Sequence, residues 1–239
     1  VTVTRDAKLN QSRSTSPLQV IDNEKLATLN ALQISDAVKH FSGVTVKDYG
    51  GIGGLKTVSV RSLGANHTAV SYDGIPVSDV QTGQVDIGRF SLENVDNISL
   101  SIGQSNNIFQ PARMFASASV LNIQSQKPTL AENQFIAGKV GIKAGSFGMI
   151  NPTFLLNGKF SNIVSASLSG EWLSAHGKYP YILNYGVIGK DSSSLETRKN
   201  TDVKNLRLEG TVFADFSPNS RGYLKGYFYN SERGLPGAT

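Results

Sequence analysis

Residues 163–173 read I-V-S-A-S-L-S-G-E-W-L, a regular alternation of apolar and polar side chains. Residues 205–216 read N-L-R-L-E-G-T-V-F-A-D-F and repeat the alternation, with Arg207 and Glu209 on the polar side. Successive side chains of a β-strand point to opposite faces, so each stretch is predicted to be a strand with one apolar and one polar face.

Two shorter stretches, residues 153–160 and 221–230, carry the same signal. In the second of them Tyr223, Tyr227 and Tyr229 are predicted to lie together on one side of the strand. The second half of the chain is therefore predicted to be an antiparallel sheet of alternating pattern.

The connections between these strands alternate in length. Residues 161–162 and 217–220 are predicted to be tight turns, and residues 175–201 a long polar loop. Short turns at one end and long loops at the other are typical of a transmembrane β-barrel. A soluble β-sandwich also alternates its faces, with the apolar faces buried against a second sheet, and stays open as an alternative.

The first half of the chain combines helix and strand signals and predicts a small α+β unit. A helix is predicted over residues 24–30 after Asp22, and another over residues 36–41, capped by Ser35 and stopped by Gly43. Strands are predicted over residues 57–61, 68–72, 97–102 and 119–124.

The composition excludes several classes of protein. Only 17% of the 239 residues are charged and 24 are glycine, which argues against disorder and against a helical bundle. The chain has no cysteine, so a disulfide framework and a thiolate metal site are excluded. The net charge of +5 comes from scattered lysines and arginines, a distribution that does not predict nucleic-acid binding.

Enzyme motifs are not met. The glycine run at residues 50–54 does not fit the dinucleotide pattern G-x-G-x-x-G, because Lys56 stands at the last position. Asp73, Asp79 and Asp86 are interpreted as turn and loop residues, since Asp73 precedes a glycine in the manner of a tight hairpin turn. We therefore expect no catalysis and no cofactor.

Several strings in the first half resemble the plug domain of TonB-dependent outer-membrane receptors. V-S-Y-D-G-I-P-V at residues 70–77 resembles the family's "VLIDGVPV", and residues 58–64 resemble its "IRG" strand with serine in place of the glycine. Residues 32–44 resemble the plug's early helix and its "PGV" ending, while residues 95–103 and 116–124 resemble two further strands.

Within that family, the vitamin B12 transporters are the members that the chain resembles most. Residues 48–55 resemble their glycine-rich "NGG" loop, residues 65–68 their "ASH" segment, and residues 175–179 a string of their barrel. The family's "RGP…LYG" stretch is replaced by a different sequence at residues 102–110.

The resemblance implies an α+β plug domain at residues 1–128, followed at residues 129–239 by the first strands, about five, of a barrel that is incomplete in this chain. A family barrel has 22 strands with the plug in its lumen, and at about 10 residues a strand it needs roughly 220 residues. The location implied is the outer membrane of a Gram-negative bacterium. We expect the open strand edges to favour non-native pairing with another copy.

The resemblance also implies which residues bind. Two apical loops are expected to contact the substrate, with glycines that let backbone amides approach a large ligand; as an alternative, the first is a flexible connection. These loops comprise Asp48, Tyr49, Gly50, Gly51, Ile52, Gly53 and Gly54, and Val80, Gln81, Thr82, Gly83 and Gln84. The segment expected to contact TonB, or else to be an ordinary first strand of the plug, comprises Val1, Thr2, Val3 and Thr4.

The function implied is import of cobalamin or a related corrinoid with energy from TonB. The alternatives are a TonB-dependent receptor for a siderophore or glycan and, from a different class, a soluble β-rich binding or adhesion module. Membrane lipid is an expected contact, and a surface lipoprotein partner is left open. Asp191 and Asp202 of the long loop are too few carboxylates for a calcium site, so no metal is assigned.

Overall fold

The structure is a computed structural model that describes residues 16–103, 110–131, 133–184, 193–217 and 220–235. Within these residues the chain forms two compact units. The first comes from the described residues up to 49 and between 54 and 127, and the second from residues 50–53 and the described residues from 128 onward.

The first unit contains seven strands and three short helices in its described part. They are β1 (Leu18–Asp22), α1 (Asn23–Thr28), α2 (Ile34–Val38), β2 (Val44–Tyr49), β3 (Leu55–Val60), β4 (Thr68–Tyr72), β5 (Ile75–Val77), β6 (Val95–Ile102), α3 (Ala112–Phe115) and β7 (Ser119–Ser125).

Five of these strands form a mixed sheet in the order β1-β6-β7-β4-β5, and β2 and β3 form a separate antiparallel hairpin. The β4–β7 pair is parallel and the other pairs are antiparallel. Ile98, Leu100 and Leu121 of the sheet, Ile34 of α2 and Ile87 are fully buried in one core. The predicted α+β character of the first half is confirmed.

The two helices differ from the prediction in their ends. Asp22 caps α1 as expected, since its Oδ1 accepts from the backbone N of Lys25 at 2.9 Å. The predicted start of the second helix was wrong, because α2 begins at Ile34 and the side chain of Asp36 accepts from the backbone N of Gln33 at 3.2 Å. Ser35 is buried inside the helix and does not cap it.

The predicted hairpin turn at Asp73 is confirmed. Tyr72 pairs with Ile75 across the β4–β5 hairpin. Asp73 and Gly74 between them have φ angles of 50° and 80°, the left-handed values that a two-residue hairpin turn requires. The carboxylate of Asp73 also accepts from the backbone N and the hydroxyl of Ser125, at 2.7 and 2.8 Å, and so ties this turn to β7.

The second unit is built from antiparallel strands, five of them long and two short. They are β8 (Ile136–Gly145), β9 (Met149–Lys159), β10 (Val164–Ala175), β11 (Pro180–Asn184), β12 (Ser193–Thr197), β13 (Val203–Ser217) and β14 (Ser220–Arg233). Five of them form an open sheet in the order β14-β13-β10-β9-β8, with β14 and β8 at its edges. The described part of the chain contains no closed barrel.

The predicted long loop at residues 175–201 was wrong in one respect. It contains a two-stranded antiparallel hairpin, β11 and β12, in which Ile182 is paired with Leu195. Each of these strands has only five residues, and Pro180 at the start of β11 interrupts the sequence signal, because proline is disfavoured within strands. The first and last parts of the connection still lack strand structure.

The two faces of the five-stranded sheet show the reverse of the burial found in a water-soluble protein. On β10, Leu168 and Trp172 are 46% and 45% exposed, whereas Ser167, Ser169 and Glu171 are buried. Strand β13 repeats this arrangement. The expectation of the soluble-sandwich alternative, apolar faces buried against a second sheet, was therefore wrong.

Strand register places the buried polar side chains in contact with one another. Glu171 and Arg207 are directly opposite on β10 and β13, and Arg207 Nη1 donates to Glu171 Oε1 at 2.7 Å. Asn151 Nδ2 donates to the same carboxylate oxygen at 3.1 Å. Charges removed from water are stabilised by such ion pairs and hydrogen bonds.

The buried polar side chains of Asn151, Glu171 and Arg207 form a polar ladder across the sheet, and this ladder continues onto β14. Lys225 Nζ lies 2.9 Å from Glu209 Oε1, and both side chains are 9% exposed. The guanidinium carbon of Arg207 lies 5.5 Å from the centre of the Tyr229 ring, a cation–π distance. The tyrosines of β14 thus share a face with the ladder of charges.

The helices of the described residues are short. None of them is long and apolar enough to cross a membrane.

Candidate ligand-binding loops

The first candidate loop, residues 48–54, connects the two strands of the β2–β3 hairpin. Asp48 and Lys56 are directly opposite at the base of the loop, and Lys56 Nζ donates to Asp48 Oδ2. The carboxylate of Asp48 is therefore engaged by a lysine of its own hairpin. Tyr49, the next residue, is 58% exposed and accessible to a ligand.

The tip of this loop belongs to the second unit. Gly51–Gly53 form a single 3-10 turn. A Cβ atom at Gly53 would lie 2.6 Å from Cγ2 of Val203, so only glycine fits against this strand without a shift. The carbonyl oxygen of Gly53 accepts from Arg233 Nη1 at 2.6 Å.

The second candidate loop, residues 80–84, is organised by the preceding Asp79. Its Oδ1 accepts from the backbone N of Gln81 at 3.0 Å, from the backbone N of Thr82 at 2.7 Å and from the Thr82 hydroxyl at 2.9 Å. The backbone N of Gly83 donates to the Asp79 carbonyl at 3.0 Å and closes the turn. Val80 projects fully into solvent at its tip.

Hydrogen bonding lowers the pKa of Asp79 below its ordinary value of 3.8. The largest cause is the backbone N–H of Thr82, followed by the Thr82 hydroxyl, and the charge of Arg89 adds to the effect. A lowered pKa means that the folded loop stabilises the ionised carboxylate of Asp79 relative to its protonated form. Its stabilisation of the loop is complete above pH 3.8 and is lost as the pH falls through the lowered pKa.

We expect Asp79→Ala to loosen this loop at neutral pH. Amide hydrogen exchange at Gln81 and Thr82 should become faster by a few-fold, the order of one lost hydrogen bond, and acidifying the unchanged protein below its Asp79 pKa should have the same effect. Exchange at Val95 and other buried strand amides is the internal control. Equal protection of Gln81 and Thr82 with and without the carboxylate would contradict this role.

The sequence analysis interpreted Asp79 as a turn or loop residue but did not identify the groups that it binds. The string D-V-Q-T-G at residues 79–83 is a turn signal, because an aspartate accepts from backbone N–H groups two and three residues later. Lys56 was also missed as a structural residue. Its backbone N donates to Asp86 Oδ1 at 3.1 Å, which connects β3 to the segment that follows the second loop.

Some predicted positions are not placed by the structure. Val1, Thr2, Val3 and Thr4 lie outside the described residues, as does Asp191. The backbone carbonyl of Asp202 accepts from the backbone N of Gly234 at 2.9 Å. Among the described residues, no group of three or more histidine, cysteine, aspartate or glutamate side chains is arranged to hold a metal ion.

Comparison with protein families gives a match for the first unit. Residues 10–114 match the model of the TonB-dependent receptor plug domain. This range includes β1 to β6, both helices α1 and α2, and the two candidate ligand loops.

Solved structures similar to the whole chain are receptors and transporters. The siderophore receptor PirA from Acinetobacter baumannii has a TM-score of 0.67 and 19% identity, with 95% of this chain and 33% of that chain covered. A ferric enterobactin receptor, PfeA, from Pseudomonas aeruginosa has a TM-score of 0.64 and 17% identity, with 95% and 34% covered. The copper transporter OprC has a TM-score of 0.69 and 15% identity, with 94% and 32% covered.

At these identities the likeness shows the fold, and the chain spans about a third of the length of each of these structures. The match of residues 10–114 and the open antiparallel sheet of the second unit both fit the fold that the sequence resemblance implies. Residues 10–114 are similar to the plug domain of TonB-dependent receptors, and the chain has the fold of part of such a receptor.

Proposed function

We propose that this chain is the plug domain, residues 1–128, and the first barrel strands, residues 129–239, of an outer-membrane receptor that imports a large ligand with energy from TonB. The observation that carries the proposal is a plug-type unit followed in the same chain by a sheet with an exposed apolar face. No bond of the substrate is made or broken in this function.

The burial of the sheet supports a membrane location. Large apolar side chains remain exposed along β8, β10 and β14, including Val140 at 82% and Leu224 at 78%. Contiguous apolar surface of this kind is costly in water and favourable against lipid hydrocarbon. The opposite face carries the buried ion pairs Arg207–Glu171 and Lys225–Glu209, as expected of a wall facing away from lipid.

Two classes of ligand have support from different observations. PirA is a siderophore receptor and PfeA a ferric enterobactin receptor, and because both have this fold they favour an iron siderophore. The glycine-rich loop at residues 48–54 resembles that of vitamin B12 transporters and favours cobalamin or a related corrinoid. The side chains of Tyr49 and Gln81 are exposed and can contact either ligand. The backbone N–H groups of Gln81, Thr82 and Gly83 already donate within the second loop.

Calorimetric titration of the receptor purified in detergent separates these ligands. Cyanocobalamin, a ferric catecholate siderophore and a ferric hydroxamate siderophore are titrated in turn. Tight binding of one class assigns the substrate. Binding of none of them, by a protein shown to be folded, would count against import of either class.

We expect Tyr49→Ala and Gln81→Ala to weaken binding of whichever probe is bound. Loss of a large exposed aromatic contact should reduce the affinity by about tenfold, and loss of one amide contact should reduce it by a few-fold. Leu63→Ala is the matched control, because Leu63 is 54% exposed in the same unit but lies outside both loops. Unchanged affinity in both loop variants would refute this placement of the site.

Residues 1–4 are the segment proposed to couple the receptor to TonB. Residues 1–4 read V-T-V-T, a sequence suited to adding a strand to the sheet of TonB through main-chain hydrogen bonds. Val3→Pro removes one backbone donor and should abolish uptake while leaving ligand affinity unchanged. Normal uptake by this variant would exclude pairing through this segment.

A further inference from the structure

Lys56 is a buried lysine at the base of the first candidate loop. The whole residue is 4% exposed and its side chain 6%, whereas the carboxylate partner Asp48 is 35% exposed. An ammonium group taken out of water is stable only when it is paired and hydrogen-bonded. A lysine is therefore an unusual choice for this position unless its charge has a role.

The contacts of Lys56 connect the two candidate loops. Its side chain binds Asp48, which immediately precedes Tyr49, and its backbone N binds Asp86, which comes two residues after Gln84. One residue thus contacts the first residue of the first loop and a residue two positions beyond the end of the second.

The Asp86 side of this connection is rigid. Asp86 Oδ1 also accepts from the backbone N of Gly88 at 2.9 Å and so holds the 3-10 turn Ile87–Arg89. The neighbours Val85 and Ile87 are buried in the core of the first unit. A Cβ atom at Gly88 would lie 3.7 Å from Cδ of Lys56, so the lysine stem packs against this turn.

We propose that Lys56 is a positioning residue that fixes the start of the first candidate loop, Asp48 and Tyr49, relative to the second loop, through Asp48 on one side and Asp86 on the other. The inference rests on the proposed function only in treating the two loops as ligand-binding. A ligand that contacts both loops then finds them already arranged, which reduces the ordering cost of binding.

The chain offers a matched control for this ion pair. Lys39 and Asp36 form a lysine–aspartate pair at 3.2 Å in the same unit, with side chains 50% and 38% exposed. Lys39→Met removes an exposed ammonium from a pair that touches neither loop. Lys56→Met makes the same chemical change at the buried pair and keeps a stem of similar shape.

The test measures the distance between the loops by pulsed electron paramagnetic resonance. Spin labels are attached at Tyr49→Cys and Val80→Cys, both exposed positions, in the receptor purified in detergent; these 239 residues contain no native cysteine. We expect Lys56→Met to broaden the distance distribution at least twofold and Lys39→Met to leave it unchanged. An unchanged distribution in Lys56→Met would overturn the proposal.

A second variant keeps the test decisive if Lys56→Met folds poorly. The double variant Lys56→Met, Asp48→Asn removes both charges, so no buried charge remains without its partner. It should recover the thermal stability of the parent yet retain the broad distribution. A narrow distribution in this folded double variant would show that the ion pair does not position the loops.

Ligand titration of the unlabelled variants separates this inference from the proposed function. Weaker binding by Lys56→Met together with a broad distribution supports both. A broad distribution with the parent's affinity would retain the positioning role and reject the loops as the binding site. A narrow distribution rejects the positioning role, whichever probe binds.

Discussion

Glu171→Ala is expected to lower the free energy of unfolding by about 3–5 kcal/mol, the cost of leaving a buried charge without its partner. The side chains of Arg207 and Glu171 are 3% and 4% exposed, and their charged atoms are 2.7 Å apart. Alanine removes the carboxylate but not the guanidinium, which stays in the sheet. Equilibrium unfolding in detergent, followed by the fluorescence of Trp172, measures the loss.

Arg221→Ala is the control for this substitution. Arg221 and Asp215 form an exposed pair in the same sheet, 3.9 Å apart with side chains 70% and 37% exposed, and we expect a change within about 0.5 kcal/mol. The double variant Glu171→Gln, Arg207→Met should recover most of the stability, because no lone charge remains. Equal effects of Glu171→Ala and Arg221→Ala would show that the ladder is not closed to water.

Leu168→Arg tests the proposed membrane location: with this face in lipid, it is expected to destabilise the receptor in phospholipid vesicles by up to about 2–4 kcal/mol, the cost of a cation on a lipid-facing strand at the bilayer midplane. Leu168 lies on the apolar face of β10, opposite Leu156 of β9 and Gly210 of β13. In a protein whose apolar face met water, the same change at a half-exposed leucine would have little effect. The size of the effect therefore reports the surroundings of this face.

Leu195→Arg is the matched control for the lipid-facing position. Leu195 is 76% exposed but lies on the β11–β12 hairpin, outside the five-stranded sheet. We expect a change within about 0.5 kcal/mol. If the two leucine variants lost the same small amount of stability in vesicles, the apolar face of the sheet would not be in lipid, and the membrane part of the proposed function would fail.

The strands of the second half were predictable from sequence, but the direction of their burial was not. The alternation in β10 and β13 fixes which side chains share a face, and it is the same for a sandwich and for a membrane sheet. Only the structure showed that Glu171 and Arg207 are inside and Leu168 outside. The two-residue alternation of side chains does not show whether a face meets water or lipid.

Local signals failed where tertiary contacts decide. Ser35 has the chemistry of a helix cap, yet it is buried in the core. The helix begins at Ile34, the residue before Ser35. In the candidate site, the first loop was predicted from its glycine run and its resemblance to a family loop, and the second from the amides and hydroxyl of residues 80–84. The pairing of Asp48 with Lys56 was not foreseen, because it depends on the register of the β2–β3 hairpin, and sequence spacing does not determine register.

The directly opposed pair of Glu171 and Arg207 also helps to specify the register of β13 against β10. A shift of β13 by one residue relative to β10 would turn its apolar side chains inward. A shift by two residues would leave every side chain on its correct face, so the hydrophobic pattern does not disfavour it. With two residues of slip, Glu171 would face Glu209 in one direction and Asn205 in the other. Like charges would then oppose each other, or Arg207 would lose its partner. The ion pair therefore disfavours two-residue shifts that the apolar pattern allows. Only the observed register satisfies both the apolar pattern and the pairing of Glu171 with Arg207.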